Sequence, residues 1–152
     1  MRVMVLVKAN ERSEAGEMPT TEELDEMGRF NAELVKAGVM LVGEGLVSSR
    51  EGKRVRFDNA GSSTVIDGPF TETKELVAGF WIWEVASLEE AVEWLQRAPF
   101  REGEVEIRRV SVPEDFGDAF TPEQQAAEQG LRDRIAAREA EIAAEQSARN
   151  GQ

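Results

Sequence analysis

The side chains able to do chemistry in this chain are carboxylates, ammonium groups and guanidinium groups. Among its 152 residues there is no His, Cys or Tyr. Without His, the commonest general base near neutral pH and the commonest transition-metal ligand are both missing. Without Cys there is no thiol nucleophile, no zinc–thiolate site and no disulfide. Acid–base work must therefore fall to Asp, Glu or Lys, and no cofactor or metal is expected. The densest group of such residues is Asp67-Gly68-Pro69-Phe70-Thr71-Glu72-Thr73-Lys74-Glu75. Asp67 is either a general base or ligand contact, or a carboxylate that caps the turn it opens; the second reading is favoured. Glu72 and Lys74 either line a cleft or form a structural ion pair. Glu44 lies between Gly43 and Gly45 in a segment that reads as a buried strand. There it is either a desolvated carboxyl with a raised pKa, able to shuttle protons, or a cleft-mouth Glu paired with Arg or Lys. Trp81 is a stacking surface for a ligand or a core residue, with core packing favoured.

These residues need elements to hold them. Gly68, Pro69 and Phe70 form the structural part of the motif: Gly reaches unusual dihedrals, Pro fixes φ, and the Phe ring anchors the turn. Val3 to Val7 is apolar on both faces and predicts a buried strand. The polar stretch from Asn10 to Pro19 reads as a loop. Thr20 and Glu23 match a capping box and open a helix over 21–37, with Leu24, Met27, Asn31, Leu34 and Val35 as its stripe and Phe30 at the edge. Strands follow at 39–46, 53–57 and 63–66, the last two as hairpin arms around Asp58-Asn59-Ala60-Gly61. The strongest strand is 77–86. Ser87 and Glu90 cap a second helix ending near Pro99, and a last strand runs from Val105 to about Val112. Without the extra hairpin the order is β-α-β-β-α-β, a ferredoxin-like α+β plan. Residues 1–118 make this domain. Residues 119–152 make a C-terminal helical extension, with Thr121, Pro122 and Gln124 as its start and Leu131, Ile135 and Ile142 as a thin apolar stripe.

The central strands are apolar on both faces, yet two helices cover only one side of a sheet. The uncovered face would be a larger apolar patch than monomers usually carry. A second copy packed sheet to sheet removes it, so a homodimer is expected. Net charge is −12, from 30 acidic and 18 basic residues. That repels phosphate backbones and anionic lipid, so neither nucleic-acid nor membrane binding is expected. The apolar N-terminal run is too short to span a bilayer and has no cleavage-site pattern, which together predict a cytoplasmic protein.

The run Asp67-Gly68-Pro69-Phe70, with Gly79-Phe80, Gly43-Glu44-Gly45-Leu46, Ala98-Pro99-Phe100, Glu104 to Arg108 and Glu114-Asp115-Phe116-Gly117, resembles the DGPF-domain, YCII-related family. The resemblance covers about residues 1 to 120. It implies a dimeric α+β barrel and does not imply an established activity. One branch of that family uses a His–Asp pair in its cleft, and members similar to this chain often carry His where Val47 stands here. Some members are associated with extracytoplasmic-function sigma factors. Two functions follow. The first is an enzyme or ligand-binding barrel acting on a small polar or anionic molecule through Glu44, Asp67, Glu72 and Lys74. The second is a non-catalytic regulatory module tied to sigma-factor-dependent transcription, with the C-terminal helix as its partner-binding element.

Overall fold

The computed structural model describes residues 1–71 and 75–150; Glu72 and Lys74 lie outside them. Contacts divide the chain into two units, Met1–Val110 and Ser111–Gln152. The first contains β1 (Arg2–Lys8), α1 (Glu11–Ala15), α2 (Thr21–Lys36), β2 (Met40–Gly45), β3 (Lys53–Phe57), β4 (Ser63–Asp67), β5 (Val77–Glu84), α3 (Leu88–Gln96) and β6 (Val105–Arg109). The second holds a short 3-10 segment at Pro113–Ala119 and the long helix α4 (Pro122–Asn150). No helix among the described residues is long and apolar enough to cross a membrane.

Four strands form one antiparallel sheet in the order β2-β5-β1-β6, and β3-β4 is a separate two-stranded hairpin. This is the ferredoxin-like arrangement read from the sequence, with the hairpin inserted between β2 and β5. The sheet is open within the chain; it does not close into a barrel.

Alternation sorts the strand residues between two faces. Val3, Val5, Trp81, Trp83 and Val85 are buried and meet Phe30 and Leu34 of α2 and Ala91 of α3. Phe30 makes edge-on contacts with both indoles, at 6.2 and 6.4 Å between ring centres. The α2 stripe is thus rotated from the sequence reading. Phe30 is central, while Leu24 and Val35 are exposed. The reason is the size of the facing indoles, which fill the space nearest Phe30. The opposite face carries Met4, Leu6, Val42, Phe80 and Ile82, none fully buried. The two tryptophans therefore face the helices, and this second set is the uncovered one.

The stretch 10–19 contains a helix that the sequence reading lacked. Asn10 is its N-cap: its Oδ1 accepts from the Ser13 amide at 2.9 Å, and its own amide donates to Ser13 Oγ at 3.0 Å. The reciprocal box uses Ser at the third position where Glu or Gln is the usual signal. Gly16, at φ 76°, terminates the helix. On α2 the expected Thr20–Glu23 box is present.

Candidate functional site

A cleft of about 240 Å³ opens between α2 and the helix-facing side of the sheet. Its apolar wall is Val7, Met27, Trp81 and Phe100. Its floor is strand backbone at Gly43, Gly45 and Gly79. Gly43 has a second role. A Cβ there would lie 2.8 Å from Trp81 Cδ1, so the missing side chain lets the indole rest on β2. At Gly45 a Cβ would meet nothing within 4 Å, so this part of the cleft is open.

Asn31 is the polar side chain that lines the cleft among the described residues; Glu44 borders it through the strand backbone between Gly43 and Gly45. The Trp81 indole Nε1 donates to Asn31 Oδ1 at 3.0 Å. An indole N–H can only donate, so the amide oxygen must face it and Nδ2 is left as a donor for something else. Among the described residues Nδ2 has no partner. Glu44 is exposed in the protomer, and among the described residues its carboxylate has neither a hydrogen-bond nor an ion-pair partner. The buried setting expected for it is absent: it projects from β2 on the uncovered face, opposite Phe80 of β5. The cleft thus combines aromatic and aliphatic walls with one amide donor, Asn31 Nδ2, that has no partner among the described residues. It can hold a small organic molecule and orient one polar end. A metal centre has no counterpart among the described residues, where no group of three or more Asp and Glu is placed to hold an ion.

The other sequence candidates sit elsewhere. Asp67 ends β4 and ion-pairs with Lys53, its cross-strand partner on the hairpin, and both side chains are exposed. The amides after it have other acceptors, so Asp67 does not cap its own turn. Gly68 N–H donates to the Gly52 carbonyl at 3.0 Å, and Phe70 N–H donates to Ser49 Oγ at 3.0 Å. Glu14 of α1 completes this latch. Its carboxylate accepts from Ser49 Oγ at 2.5 Å and from the Ser49 amide at 3.1 Å, and its carbonyl accepts from Ser48 Oγ at 2.7 Å. The Arg54 guanidinium stacks 4.0 Å above the Phe70 ring. Gly68 is required here because a Cβ would come within 1.8 Å of the Ser49 carbonyl oxygen. The Gly68–Pro69 peptide is cis. The Asp-Gly-Pro-Phe turn is therefore a clasp joining α1, the 48–52 turn and the hairpin base, and it contributes nothing to the cleft wall. Trp81 is both a core residue, buried at 5 % exposure, and a wall of the cleft. Of the charged candidates among the described residues, Glu44 alone borders the cleft, and it does so through its backbone.

Asn31 is the polar cleft residue that the sequence reading took as part of an apolar stripe. A carboxamide between Met27 and Leu34 on a core-facing helix side was itself the signal, because a buried amide needs a partner.

An uncharacterised protein of Rhizobium meliloti (strain 1021) is 40% identical over 57 residues, 36% of this chain and 46% of that protein. The chain thus spans just under half the length of that relative. Among solved structures, the 5-chloro-2-hydroxyhydroquinone dehydrochlorinase of Burkholderia phenoliruptrix AC1100, in complex with 2,5-dihydroxybenzoquinone, matches at 19% identity and a TM-score of 0.39. That match covers 73% of this chain and 94% of the other. The profile of the YCII-related domain matches residues 1–114. With three quarters of its length under that profile, and the α+β architecture described above, the chain belongs to the YCII-related domain family.

Proposed function

We propose that this protein binds a small, mainly apolar organic molecule in the cleft between α2 and the sheet, with Asn31 Nδ2 holding its polar end. The observation that carries the reading is the Asn31 amide donor, without a partner among the described residues, beside the Trp81–Met27–Phe100 wall in space left open at Gly45. The volume is below the ~300–1,000 Å³ of drug-sized pockets, which favours a small metabolite. A thermal-shift screen of metabolites against wild type and Gly45→Leu tests this. Gly45→Leu puts a side chain into open cleft space without touching the core. A hit that stabilises wild type and fails on Gly45→Leu is expected; a hit that stabilises both equally refutes the site.

The reading extends to a homodimer formed through the uncovered sheet face. Support comes from the run of Met4, Leu6, Val42, Phe80 and Ile82 across three strands. Light scattering at micromolar concentration should give twice the chain mass for wild type and the chain mass for Ile82→Glu. A monomeric wild type overturns it.

The regulatory alternative, linked through the family resemblance to sigma-factor-dependent transcription, draws on α4. Leu131, Ile135 and Ile142 are exposed at 51%, 58% and 39%. Under that reading, Leu131→Lys with Ile135→Lys abolishes capture of a partner and leaves ligand binding in the cleft intact.

A further inference from the structure

The cleft does not end at Phe100. Two neighbouring hollows use the same ring. One shares both Met27 and Phe100 with the cleft and is lined by Arg12 and Arg101. The other contains Phe30, Phe100, Arg29, Arg97 and Arg101. Arg101 is common to both; four guanidinium groups and four carboxylates, Glu23, Glu26, Glu33 and Glu102, border the two hollows, so what sets a cation apart is whether it is already paired. Their commitments differ. Arg97 pairs with Glu33 and stacks on Trp94, 4.4 Å from the ring centre. Arg12 is held by Glu17 and Glu23. Arg101 reaches Glu26 through Nη2 alone, at 3.2 and 3.3 Å. Its Nη1 and Nε have no partner among the described residues, and neither does Arg29. The Arg101–Glu26 pair is solvent-exposed on the Arg side, 61% against 27%, so little is lost when the guanidinium turns to another anion. A planar fork with free donors is the geometry that grips a carboxylate or phosphate.

We propose that the cleft's ligand is an amphipathic anion, its apolar body against Trp81, Met27 and Phe100 and its carboxylate or phosphate group on Arg101, with Arg29 as the second cation. This rests on the cleft being a small-molecule site, and it supplies the polarity that site lacks. The charge is carried past Phe100, where Arg101 and Arg29 lie.

The three tryptophans of the chain give three indole signals, and the Trp81 indole, bonded to Asn31, reports cleft occupancy. The ¹⁵N-labelled full chain is titrated with phenylacetate, phenyl phosphate and neutral phenylacetamide. The anions should move the Trp81 signal at about fivefold lower concentration than the amide, the factor expected of one partly exposed ion pair. Arg101→Gln should remove that advantage and leave the amide curve unchanged. Glu26→Gln, which frees Arg101, should enlarge it. The better of phenylacetate and phenyl phosphate identifies the anionic group. If amide and anions bind alike, or Arg101→Gln changes nothing, the anion proposal fails while the cleft reading stands. If no probe moves the Trp81 signal at millimolar concentration, both fall.

Discussion

Replacing Gly68 by Ala tests whether the Asp-Gly-Pro-Phe turn is a clasp. The new Cβ would lie 1.8 Å from the Ser49 carbonyl oxygen and 2.7 Å from its carbon. A carbon and a carbonyl oxygen approach no closer than ~3.3 Å without repulsion, so the turn must retreat by about 1.5 Å. The obstacle is backbone, which cannot rotate aside as a side chain would. A retreat of that size breaks the Gly68–Gly52 and Phe70–Ser49 hydrogen bonds, both 3.0 Å long. At ~0.5–1.5 kcal/mol each, with ~0.5–1 kcal/mol for the Arg54–Phe70 stack, the loss is about 1.5–4 kcal/mol. Gly28→Ala is the control. Gly28 is exposed in the middle of α2, a Cβ there meets nothing within 4 Å, and the change should stabilise by up to ~1 kcal/mol. Thermal denaturation at equal protein concentration measures both, and the Gly68→Ala midpoint temperature should fall by roughly 5–15 °C. A Gly68→Ala protein within ~0.5 kcal/mol of wild type, with Gly28→Ala behaving as expected, refutes the clasp.

Three further outcomes are expected. The Arg12 guanidinium, hydrogen-bonded to Glu23, and then the Thr20 amide hold the Glu23 carboxyl at about 2 against an ordinary 4.5. Because the folded value is depressed, the stabilisation is present above pH ~4.5 and disappears as pH falls towards 2. Glu23→Gln should therefore be less stable than wild type at pH 7, with the gap closing between those two pH values; a gap that stays constant contradicts the assignment. Asn31→Leu leaves the buried Trp81 Nε1 without an acceptor and should cost about 1–3 kcal/mol in chemical denaturation. An unchanged midpoint would show that water takes the acceptor's place. Lys53→Ala removes an ion pair whose side chains are 67% and 74% exposed, so stability should change by less than ~1 kcal/mol. A larger loss would mean that Asp67 matters to the hairpin in ways its exposed pairing does not explain.

The fold was legible wherever patterning is local. Alternating apolar residues marked β1 and β5, and Thr20 with Glu23 marked the start of α2. The short α1 escaped because its cap partner is Ser13, a residue without helix-start character of its own. The site was harder to read because it depends on residues distant in sequence. Asp67 sits in the most motif-like stretch, but the hairpin register places it opposite Lys53, away from the cleft. Asn31 reads as one polar interruption until the sheet sets Trp81 against it, 50 positions along the chain. Phe100 carries no chemical signal, yet it borders every hollow on which the ligand reading depends.

The bond from Gly68 N–H to the Gly52 carbonyl clasps the segment 53–67 at both ends. Its entrance and exit therefore coincide in space, and the parent sheet takes no register from what lies between them. Such a segment is a detachable cassette. Closing a longer or shorter loop between fixed ends costs little, growing only with the logarithm of length. The hairpin can thus be resized, exchanged or used to carry a foreign peptide while β2 and β5 remain paired.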